Sequence, residues 1–141
     1  MEVAIAMQCQ SKQRIYLCDL EQKLGNLSSF DESCEILQFL LNGPFSATEE
    51  GEFYEIKGRV TEIKGIKLSI NSNEHPPPHF HFSYGNEKGS FTIADCILIV
   101  GNLSRRTRNI IYGWWEYNKK FLIQKWNDSR PTDCSVGVYK E

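Results

Sequence analysis

The chain has three histidines, and they stand close together in the stretch Asn73–Tyr84, NEHPPPHFHFSY: His75, His79 and His81. On an extended strand, residues two apart share a face, so the Cα atoms of His79 and His81 fall about 6.6 Å apart. Two imidazoles so placed can converge on one divalent metal such as zinc, with His75 or Glu74 completing the set if the proline run curls back. They can also serve as base and acid around a phosphodiester, since histidine titrates near neutrality. A third reading contains no chemistry: the rings hydrogen-bond across a sheet and to the backbone of the proline turn. The residue types leave all three open.

A second candidate lies downstream. Ser104 reads as a helix N-cap, and Arg105 and Arg106 follow it. Two arginines at a helix start oppose the dipole, and the placement makes sense if an anion or an acidic neighbour compensates. Ser104, Arg105 and Arg106 are therefore candidates for binding an anion or a partner, and in the catalytic reading an arginine neutralises charge developing on phosphate.

Positioning falls to strands and one long helix. In HFHFSY, Phe80, Phe82 and Tyr84 point one way while His79, His81 and Ser83 point the other. The prolines stiffen the approach. Ile66, Leu68 and Ile70 alternate in a preceding strand. Tyr54, Ile56 and Val60 share a parity in an earlier one, with Lys64-Gly65 as the turn between them. Gly85–Gly89 reads as a loop closing a hairpin onto strands near Ser90–Ile93 and Ile97–Val100. Apolar spacing predicts a helix over about Arg105–Trp126, whose stripe includes Ile110, Trp114, Tyr117, Phe121 and Trp126. Gly113 inside it implies close packing. Near the amino terminus, Ser29 or Asp31 caps a helix over about Glu32–Asn42 that Gly43-Pro44 stops. Arg14–Cys18 reads as a short strand, and the last ten residues as a tail or edge strand. The expected fold is α+β: a small curved antiparallel sheet of four or five strands packed by the long C-terminal helix, with an N-terminal helical arm. The expected organisation is a unit over 1–50, a domain over 51–130 and a tail over 131–141.

The 141 residues suit one domain or a domain with an arm. Apolar runs such as Cys96–Val100 are too short to span a bilayer, so no membrane partner is expected. Glu2 stands where a signal peptide carries positive charge, and the five cysteines are an odd number without CxxC spacing. Both features fit a reducing cytoplasm. Charge is uneven: residues 19–55 carry nine acids and one lysine, and residues 104–127 carry six bases and Glu116. That asymmetry suits docking of one half on the other, self-association, or steering of an anionic partner. Duplex DNA gains little support in a chain of net charge −2 without a helix-turn-helix signal.

NEHPPPHFH, then Gly101-Asn102-Leu103-Ser104-Arg105-Arg106, then Trp114-Trp115-Glu116 with Leu122 and Trp126, resembles a bacterial family. It is the domain-of-unknown-function family four-one-six-zero, with its PPHFH stretch, G-x-L-P-x-R helix entry and W…L…W helix. The resemblance covers roughly 54–127. Ser104 replaces a frequent proline, and Asn118 replaces a helix histidine that could have joined the strand pair. The resemblance implies a small intracellular protein, often encoded beside another in a toxin–antitoxin-like arrangement. The leading expectation is a non-enzymatic binding or regulatory module with a protein partner, its recognition surface formed by the histidine strand with Arg105 and Arg106. The alternative is a small ribonuclease or nucleotide phosphodiesterase using His79 and His81, with a metal optional.

Overall fold

The computed structural model describes residues 19–59, 61–70 and 77–129. After helical residues 19–24 come α1 (Phe30–Asn42), β1 (Phe45–Ala47), β2 (Phe53–Glu55), β3 (Ile66–Ser69), β4 (His79–Tyr84), β5 (Glu87–Thr92), β6 (Leu98–Asn102) and α2 (Arg105–Asp128). The α+β expectation holds. The segment Arg14–Cys18 and the last ten residues lie outside the described residues, as do His75 and Val60.

Capping residues set the start of both helices. Ser29 Oγ accepts the Glu32 N–H at 3.1 Å, and the Glu32 carboxylate accepts the N–H and hydroxyl of Ser28. Those bonds, the backbone one first, hold the Glu32 carboxyl below its ordinary pKa. Ser104 caps α2, its Oγ accepting the Thr107 N–H at 3.1 Å.

One expected sheet is in fact two. β1 and β2 form a separate antiparallel pair, and β3-β4-β5-β6 form a four-stranded antiparallel sheet. Lys64-Gly65 therefore does not turn a hairpin: β2 pairs backwards with β1, and β3 pairs forwards with β4. The parity expected around Tyr54 is also reversed, since Phe53 is buried and Tyr54 exposed. The five-residue loop Gly85–Gly89 is a two-residue turn, Gly85-Asn86, with β5 beginning at Glu87. Gly85 has φ +60°, as the first central position of a type II′ turn requires and as glycine tolerates.

The core lies between the helices and the inner face of the larger sheet. Phe80, Phe82 and Tyr84 of β4 are buried, alternating with half-buried His79, His81 and Ser83. Above them lie Ile110, Ile111, Trp114, Phe121, Leu122 and Trp126 of α2. Tyr117, expected in that stripe, is 42% exposed. Leu37, Leu40 and Leu41 of α1 and Phe45 of β1 are fully buried in the same cluster, so the described amino-terminal elements share one core with the sheet and α2. Gly113 is where the loop after β1 meets α2, with Gly51 against it; a Cβ on Gly113 would lie 2.5 Å from the Gly51 carbonyl oxygen.

Candidate functional site

The outer face of the four-stranded sheet is laid out by register. One row across the strands reads Ser69, His81, Ser90, Val100; the next reads Lys67, Ser83, Lys88, Asn102. An open groove of about 450 Å³ lies on this face, with Lys67, Ser69, His81, Ser83, Lys88 and Ser90 among its lining residues. His81 Nδ1 is hydrogen-bonded to Ser90 Oγ at 2.9 Å. Both lysines are exposed, and among the described residues neither is in an ion pair.

His79 sits beside the groove. Its Nδ1 is 2.7 Å from the Pro77 carbonyl oxygen. A carbonyl only accepts, so that bond places the proton on Nδ1. The two imidazoles meet edge-on with centroids 5.1 Å apart, and His79 also lies 5.8 Å from the Trp126 ring. The strand thus brings His79 and His81 together, as their spacing implied. Among the described residues no set of three metal-ligating side chains converges. Asn118 is fully buried against Ser33 and donates to the Trp114 carbonyl, so this position faces the seam between α1 and α2.

The arginine pair divides. Arg105 is exposed on the first turn of α2. Arg106 turns inward: Nε donates to Phe45 O at 2.8 Å, and Nη2 reaches Leu41 O at 2.9 Å, Gly43 O at 3.2 Å and Leu40 O at 3.4 Å. α1 has no basic residue in its own last turn, and Arg106, 64 residues beyond Asn42, supplies that positive charge. Burial pulls its pKa below the ordinary arginine value. The acidic compensation expected at the α2 start is internal: Glu87 Oε1 accepts the Ser104 N–H at 2.7 Å. Ser104 is occupied as the cap. The structure therefore does not bring Ser104, Arg105 and Arg106 into one site with the histidines.

Sequence reading missed Lys67 and Lys88. The signal for Lys88 was present in the turn: a two-residue Gly85-Asn86 loop pairs Tyr84 with Glu87, hence Ser83 with Lys88 and His81 with Ser90. Cys34 and Cys96 are free thiols, but burial pushes Cys34 up to about 11 and raises Cys96 further, so neither is an activated nucleophile.

A second surface feature is the β6 edge. It exposes Ile99 (49%) and Val100 (64%), with Ile97 (58%) just before the strand. Ser90 pairs with Val100 and Phe91 with Leu98, which makes Ile99 the extra residue of a bulge.

These elements define a small α+β domain: a four-stranded sheet with one face under a long helix and the other carrying an imidazole, hydroxyls and lysines. The family described as "Domain of unknown function (DUF4160)" matches residues 65–127, which run from the start of β3 to the last turn of α2. The chain is similar to this family over that stretch alone; α1, β1 and β2 lie outside the match. No curated protein matches the chain, and no solved structure does. No helix among the described residues is long and apolar enough to cross a membrane.

Proposed function

We propose that the protein is a binding or regulatory module that acts with a protein partner or a second copy of itself, as half of a toxin–antitoxin-like or defence pair in the cytoplasm. The observation that carries the reading is the β6 edge. Ile99 and Val100 of β6, with Ile97 just before it, present apolar surface on an edge that has no neighbour beyond β5 among the described residues. Such an edge is a template for an added strand or an apolar partner surface. The paired-gene context rests on family resemblance alone. Tagged wild-type protein is expected to recover a specific partner from native cells, or to self-associate. Ile99→Lys, with an unchanged circular dichroism spectrum, is expected to weaken that association about tenfold. Recovery of background proteins only, from a chain that is monomeric by light scattering, would sink the reading.

One contact favours a second reading, phosphodiester cleavage in RNA or a nucleotide: the imidazoles of His79 and His81 adjoin beside a groove carrying two lysines. It predicts turnover that falls at least about a hundredfold in His81→Ala at unchanged melting temperature. Equal turnover in the variant would rule His81 out of the chemistry.

A further inference from the structure

The geometry points to a site for a phosphate ester on the outer sheet face, held between Lys67 and Lys88 over Ser83. The exposed face of an antiparallel sheet is ordinarily polar, so lysines there alone mean little. The distribution of charge is what departs from that norm. The chain has 18 acids against 16 lysines and arginines, yet the strand positions on this face include no carboxylate. Lys67 and Lys88 are the direct cross-strand neighbours of Ser83, one on each side. With strands about 4.8 Å apart, their Cα atoms are about 9.6 Å apart, a span that two flexible ammonium groups close around one anion.

The hydroxyls complete the set. The side-chain hydroxyls of Ser69 and Ser83 make no hydrogen bond among the described residues, while Ser90 Oγ and His81 Nδ1 are bonded to each other at 2.9 Å. A phosphate oxygen over Ser83 would meet one hydroxyl donor and two ammonium groups, and charge-assisted bonds of that kind are the stronger class. A groove of about 450 Å³ leaves room beyond one phosphate for a sugar and base. The chemistry recognised is a nucleotide phosphate, whether free or within single-stranded RNA. The inference does not rest on partner binding through β6.

The test is calorimetric titration of the full chain at low salt with adenosine monophosphate and, separately, with a short oligouridine. Binding of one or both is expected; the mononucleotide assigns a free phosphomonoester, and oligouridine alone assigns RNA. The double variant Lys67→Ala/Lys88→Ala is expected to bind at least about tenfold more weakly. Lys88→Arg keeps the charge and should retain binding, and Lys120→Ala, exposed on α2, should change nothing. No binding of either probe would overturn the proposal. So would a folded double variant that binds as wild type, or an equal loss in Lys120→Ala, which would mark the attraction as nonspecific.

Discussion

Arg106→Ala is expected to lower the free energy of unfolding by about 3 kcal/mol, as removal of a part-buried charged donor from several carbonyls does. Helix α1 ends inside the fold, where its last carbonyls need partners. The Gly43 N–H serves Phe39 O, the Glu62 N–H serves Asn42 O, and the Tyr84 hydroxyl shares Leu41 O with Arg106. Leu40 O and Gly43 O receive the guanidinium, which also holds Phe45 O of β1. Alanine would leave those acceptors without their donor and α1 without its C-terminal cation. Arg106→Lys should recover less than half, because one ammonium cannot reproduce the planar fork. Arg105→Ala, on the exposed side of the same turn, should stay within about 0.5 kcal/mol of wild type. Denaturant unfolding of the three variants checks this; equal effects at 105 and 106 would contradict the inward orientation.

Gly113→Ala is expected to destabilise by about 2 kcal/mol, although alanine is the better helix former by about 1 kcal/mol. The packing decides the sign. A Cβ at this position would stand 2.5 Å from Gly51 O and 2.8 Å from Phe53 Cζ. A Cβ on Gly51 would in turn meet Gly113 Cα at 2.8 Å, and Gly51 already holds φ +88°. The obstacle is backbone, so the loop between β1 and β2 must move away from α2, taking with it the Asn109 bond to Ala47 O. Thermal unfolding that leaves Gly113→Ala equal to or above wild type would show that the loop gives way freely.

The features legible in the sequence were those with local causes. Alternation in HFHFSY set β4 and the face of its imidazoles, and apolar spacing set α2 and its Ser104 cap. Gly113 carried its own warning, since a glycine inside a long helix costs stability unless something packs against it. What escaped was long-range. β1 and β2 are three residues each, too short for periodicity to announce. Tyr54 was given the buried parity that belongs to Phe53, because an isolated aromatic pair does not say which member faces in. Arg106 reads as an anion- or partner-binding charge because the carbonyls it serves lie about 60 residues earlier. Lys67 reached the groove through the register of β3 on β4, which a long connection separates and no turn rule fixes.

The proposed anion-recognising surface lies on the outer sheet face, and Arg106, turned inward, is no part of it. Amide chemical-shift mapping of the labelled full chain, titrated with adenosine monophosphate and with oligouridine, separates the alternatives. Shifts are expected at Lys67, His81, Ser83 and Lys88, with Arg105 and Arg106 unmoved. Shifts confined to the first turn of α2, with the sheet face silent, would contradict it.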